Sequence, residues 1–128
     1  MGVDVVAKAI RRARRRAQDE GVDVTFIEGD VTALHDADIG TGFSFVLDIE
    51  CFNHLNDAQR AAIGREVNAA TTSEATMLML VWRRARRGPL APGARPEDLT
   101  SAFPGWEIVG EQAYAGKLPH PLRSIAPG

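Results

Sequence analysis

The most constraining feature of this chain is Phe43–Ile49, the run FSFVLDI. A near-continuous apolar segment of strand length suits a strand covered on both faces, the situation found in parallel sheets. The segments on either side of it read as strands and helices in alternation. Val3, Asp4, Val5 and Val6 form a short β-prone run. Val6, Ile10, Ala13 and Ala17 follow with 4, 3, 4 spacing, which draws an apolar stripe on a helix that ends near Gly21. Val22, Val24 and Phe26 then alternate with Asp23 and Thr25, predicting a strand that Glu28-Gly29-Asp30 stops.

Downstream of the central run, Asn56-Asp57-Ala58-Gln59 has the form of a capping box, and the helix it opens carries Ile63, Val67 and Ala70 on one face. Residues 74–82 (EATMLMLVW) predict another buried strand, residues 83–96 a basic loop rich in Pro and Gly, residues 96–103 a short helix, and residues 106–109 a last strand. The tail over residues 116–128 holds three prolines and no closing element. Strands alternating with helices imply right-handed βαβ units, hence an α/β fold with a parallel, helix-covered sheet. Ligands in such sheets sit at the carboxyl ends of the strands, which directs attention to Asp4, residues 28–30 and residues 48–52.

Composition sets the outer bounds. With 128 residues, a net charge of 15 − 17 = −2 and 45% hydrophobic residues, residues 1–128 describe one soluble globular domain. The longest apolar run, residues 77–82, falls far short of the ~20 residues needed to cross a bilayer, so no membrane association is expected. The single Cys51 cannot form an intramolecular disulfide, and His35, His54 and His120 have no zinc-ligand spacing, so no metal is expected and a reducing, cytoplasmic setting is the default. Residues 6–16 are Arg-rich and amphipathic, as transit peptides are, but Asp4, Asp19 and Glu20 are unusual in such a segment and it is read as folded.

Each candidate residue has a bland reading beside its functional one. Asp4, where a strand hands over to a helix, is either a cap or a carboxylate able to hold the vicinal hydroxyls of a ribose. Gly29-Asp30 is either a common turn or a site where Asp30 accepts from an adenine amino group. Cys51 follows an apolar strand with no base partner and reads as an inert thiol. His54, just beyond the central strand, stands where a substrate-side base could act or where a histidine simply packs at a helix entrance. Glu50 is either a substrate carboxylate or a solvated loop residue, and Trp82 either walls a pocket or fills the core. Arg11, Arg12, Arg14, Arg15 and Arg16, with Arg83, Arg84, Arg86 and Arg87, hold nine of the 15 basic residues. Nothing aromatic is interleaved to stack bases, so solvated surface is favoured over a nucleic-acid site.

The ordered set Gly2-Val3-Asp4, a helix, residues 24–31 (VTFIEGDV), residues 43–48 (FSFVLD) and Phe52-Asn53-His54-Leu55 resembles the class I S-adenosylmethionine-dependent methyltransferases from residue 2 to about residue 112. That resemblance implies a three-layer Rossmann-like sheet. It also implies cofactor contacts from Asp4 and Val5 to the ribose, from Gly29, Asp30 and Val31 to the adenine, and from Asp48, Ile49 and Glu50 to the methionine end. His54 is then the catalytic candidate, and Phe52 and Trp82 face the substrate. The family's Gly-rich loop, which belongs to a strand ahead of Asp4, and its final strand are both missing from the sequence, so the domain is expected to be truncated at both ends and its cofactor affinity weakened, because backbone donors are lost. The function implied is methylation of a small molecule with S-adenosyl-L-methionine as cofactor. The alternatives are a non-catalytic remnant acting through protein contacts and a protein that binds RNA or another polyanion through its Arg clusters. In the resembled fold the missing strand is central, so self-association through unpaired edges is expected.

Overall fold

The computed structural model describes residues 1–83 and 93–114 of the chain. Its elements are β1 (Gly2–Asp4), α1 (Ala7–Asp19), β2 (Phe26–Glu28), β3 (Phe43–Ile49), α2 (Asp57–Ala70), β4 (Thr71–Leu80) and α3 (Pro96–Ala102). Short 3-10 turns occupy Val31–Ala37, kinked at Ala33, and Phe52–His54. The strands pair as β1 with β2 and β3 with β4, both parallel, in two separate two-stranded sheets.

Local chemistry accounts for the helices. α1 turns Ile10 and Ala17 inward against β1 and β2. It ends at Gly21, whose φ of 67° lets Val22 donate back to the Ala17 carbonyl, the left-handed close that favours glycine. α2 has the full capping box: Asn56 Oδ1 accepts from the Gln59 N–H and Gln59 Oε1 accepts from the Asn56 N–H, each at 2.9 Å. Its Ile63, Val67 and Ala70 are buried. Pro96 at the first turn of α3 and Asp98, which accepts the Arg95 N–H at 2.8 Å, open that helix.

One hydrophobic cluster joins the two sheets. Leu34, Phe52, Ile63, Val67, Ala102 and Phe103 form its centre, with Val3 of β1, Val46 of β3 and Met77 and Met79 of β4 packed against it. Gly64 brings α2 against α3, since a Cβ there would lie 1.8 Å from the Ala102 carbonyl oxygen. Arg60, 7% exposed, is a buried clamp. Its guanidinium stands 4.5 Å over the Phe52 ring, donates to the carbonyls of Phe52 and Gly93 at 3.1 and 2.8 Å, and lies 3.7 Å from Asp98.

Four expectations need correction. The strand over residues 22–26 begins only at Phe26, because β1 offers partners for Phe26–Glu28 alone, and Val22 and Val24 are exposed. The strand over residues 74–82 is shifted toward the N-terminus as Thr71–Leu80, in register with β3 from Phe43↔Thr71 to Ile49↔Leu80 with one irregularity. Residues 106–109 form no strand: no neighbour among the described residues pairs with them, and Val109 is almost fully exposed. The central run is covered on one face only. Val46 and Asp48 turn inward, while Phe45, Leu47 and Ile49 are 54%, 55% and 61% exposed, with no described element over them. The tail over residues 116–128 and Arg84, Arg86 and Arg87 of the second basic cluster lie outside the described residues.

Candidate active site

The carboxyl ends of the paired strands β1 and β2 lie side by side. The Gly29 N–H donates to the Asp4 carbonyl at 2.9 Å, which ties the first two ends together. Burial first, and then the charges of Asp48, Asp4 and Asp30, push the Cys51 thiol up to about 11. Cys51 is therefore a thiol and not a nucleophile at neutral pH, as its apolar sequence context suggested.

The individual carboxylates are held by their own backbones. Asp4 Oδ1 accepts from the Val6 N–H at 2.8 Å at the entrance to α1. Asp30 Oδ1 accepts from the N–H and hydroxyl of Thr32 at 2.8 and 2.6 Å, and these bonds hold the Asp30 carboxyl below the usual carboxylate range. In both residues the capping role is real, and it orients the side chain while Oδ2 makes no hydrogen bond to a described residue. Asp48 is buried. Its Oδ1 accepts from the N–H groups of Cys51 and Phe52 at 2.9 and 3.4 Å, and burial outweighs these bonds and pushes its carboxyl up.

The chain leaves β3 through Glu50 at φ 71°, a conformation that costs a non-glycine residue about 1 to 3 kcal/mol. Glu50 is 7% exposed. Its N–H donates to the Leu80 carbonyl at 3.1 Å and its Oε1 accepts from the Trp82 indole Nε1 at 2.9 Å. Asn53, also buried, accepts the Trp82 backbone N–H on Oδ1 at 3.0 Å. The exposed His54 ring stands edge-on to the Trp82 ring, with centroids 5.8 Å apart.

Asp4, Gly29, Asp30, Asp48, Glu50, His54 and Trp82 thus lie around the strand ends, as do the backbones of Val5 and Val31. The side chain of Val31 packs toward the core and that of Val5 is exposed. Ile49 points to the uncovered face of β3. Phe52, expected on the substrate side, is fully buried, its ring 5.8 Å from that of Phe103 and under Arg60. A residue sealed in the core cannot meet a substrate. Asn53 and Arg60 escaped the sequence reading because an Asn and an Arg near a helix start look like solvated surface, and only the packing shows them buried.

The methyltransferase domain family matches residues 1–74, more than half of the chain. Among solved structures the chain is similar to the crystal structure of the PH0226 protein from Pyrococcus horikoshii OT3, with 27% identity, a TM-score of 0.55, and coverage of 61% of this chain and 34% of that one. The chain therefore spans about a third of that protein's length. No functionally curated protein matches. Parallel pairing, carboxylates at the ends of β1 and β2 and the matched span together place the chain in the methyltransferase domain family, with a Rossmann-like methyltransferase fold.

Proposed function

We propose that the chain belongs to an S-adenosylmethionine-dependent methyltransferase acting on a small molecule. The observation that carries this reading is the placing of Asp4 and Asp30 at the carboxyl ends of the paired strands β1 and β2, inside the span that matches the methyltransferase domain family. The residues fit an adenosyl cofactor: Asp4 and Asp30 are oriented through Oδ1, and each offers Oδ2. Asp4 would take the ribose hydroxyls, Gly29, Asp30 and Val31 would flank the adenine, and Asp48 and Glu50 would border the reactive end.

When bound, the cofactor supplies an electrophilic sulfonium methyl group. The protein's part is to align the acceptor with that methyl and keep water out, which asks for shape more than acid–base chemistry. Buried Asp48 and the half-buried Trp82 supply a fixed border, and His54 stands at its open side as the residue placed to receive an acceptor proton.

Calorimetric titration with S-adenosylmethionine and its demethylated product tests the reading. Asp4→Ala removes a charge-assisted hydrogen bond, worth about 1.5 to 3 kcal/mol, and should weaken binding roughly ten- to hundredfold. Equal affinity in wild type and variant would remove Asp4 from the site.

A further inference from the structure

Trp82 is held from three sides at the ends of β3 and β4: by Glu50 on its indole N–H, by Asn53 on its backbone N–H and by the His54 ring at its edge. Among the described residues one buried polar atom of this cluster, Asn53 Nδ2, lacks a partner, and the Glu50 carboxylate has a single donor. The Glu50 side chain makes its one hydrogen bond to the indole, and no Lys or Arg among the described residues pairs with it. Burying a carboxylate is costly unless a cation or several donors satisfy it. Asn53 is 3% exposed, and its Nδ2 is buried without a partner among the described residues. Its Oδ1 is fixed on the Trp82 N–H, so turning the amide would set donor against donor, and the orphan is the NH₂ end. Glu50 is also kept in left-handed backbone, a conformation that persists where the surroundings over-determine it and that clusters at functional sites. Asp4 and Asp30, by contrast, serve their own turns.

Resting on the methyltransferase reading, we propose that Glu50, Trp82 and Asn53 form the acceptor subsite and select a molecule bearing an organic ammonium group. The Glu50 carboxylate accepts an N–H of the ammonium, the indole lies along the adjoining hydrocarbon, and Asn53 acts as a positioning residue that holds Trp82 by its backbone N–H. The ammonium is a recognition handle, separate from the choice of methylated atom.

The chain has two tryptophans, so Trp106→Phe leaves Trp82 as its single fluorescent reporter. That protein is titrated with phenethylammonium, 3-phenylpropionate and 2-phenylethanol, which share a ring and differ in charge. A saturable change with the ammonium, roughly tenfold tighter than with the other two, and a roughly tenfold loss in Glu50→Gln with 2-phenylethanol unaffected, support the subsite. Glu50→Asp, which keeps the charge, should retain the ammonium preference and stands in if Glu50→Gln melts early. Equal affinities, unchanged affinity in Glu50→Gln, or no saturable response overturn the proposal, and a basic side chain of the protein already seated on Glu50 would give the last of these. The titration needs no cofactor, so its failure with intact adenosyl binding sinks the subsite alone, whereas lost adenosyl binding with an intact ammonium response sinks the methyltransferase reading of the strand ends.

Discussion

Gly64→Ala pits helix propensity against packing. Gly64 lies in the middle of α2, and in an isolated helix an alanine there would be favoured by about 0.8 to 1 kcal/mol. In the folded protein the added Cβ would lie 1.8 Å from the carbonyl oxygen of Ala102 and 2.9 Å from its carbonyl carbon. A carbon and an oxygen without a bond between them need more than 3 Å, so α3 must retreat by over an ångström. The obstacle is backbone and cannot rotate away. Retreat loosens Ala102 and Phe103, both buried, together with the Phe52–Phe103 ring contact at 5.8 Å. Overpacking costs about 1 to 3 kcal/mol, and against a backbone obstacle the upper part of that range, about 2 to 3 kcal/mol, applies, so the net change is a destabilisation of roughly 1 to 2 kcal/mol after the propensity gain of about 1 kcal/mol is subtracted. For a chain of this size that lowers the melting temperature by roughly 3 to 10 °C. Urea unfolding followed by circular dichroism reads the change, and Trp106 emission reports the α3 contact, because its ring lies 6.5 Å from Phe103. Asn68→Ala, exposed on the same helix, controls for propensity and should stabilise slightly. A Gly64→Ala protein as stable as wild type, or more so, would refute the close approach of α2 to α3.

Further outcomes follow from the same geometry. Arg60→Lys cannot bridge the Phe52 and Gly93 carbonyls with a planar fork, so it should destabilise the fold by about 2 kcal/mol or more in the same urea assay; an unchanged midpoint would show those carbonyls satisfied otherwise. His35 is hydrogen-bonded to Glu66 across to α2, and Glu66, then Asp36, raise its pKa above 6.5. A raised folded pKa means the contact's stabilisation is fully present below 6.5 and lost as pH rises through the folded value, so the stability gap between wild type and His35→Gln should shrink from pH about 6 to 8. A constant gap would refute the linkage. Among the described residues β1 and β3 each carry an unpaired edge, and no described element covers the apolar face of Phe45, Leu47, Ile49 and Leu78. We expect the chain to self-associate through these features, read as concentration-dependent light scattering in the low micromolar range; a monodisperse monomer with a cooperative melt would overturn this.

Features fixed by neighbours in the sequence were legible there. The Asn56–Gln59 capping box, the Gly21 close of α1, the buried stripe of α2, the full extent of β3 and the short helix after Pro96 are all local. The ordered strand-end residues Asp4, Gly29-Asp30 and Asp48 also reflect chain order, because alternation of strand and helix returns each strand end to the same side of a parallel sheet. Strand pairing depends on partners distant in sequence. That is why β2 shrank to the three residues β1 could pair, residues 106–109 formed no strand, and FSFVLDI kept one bare face. The tertiary structure alone decided that Phe52 belongs to the core, that Arg60 is a buried clamp, and that Glu50 and Asn53 close on Trp82. Burial and partnership for these side chains come from segments 8 to 33 residues away, and a side chain's identity carries no information about which distant backbone it will meet.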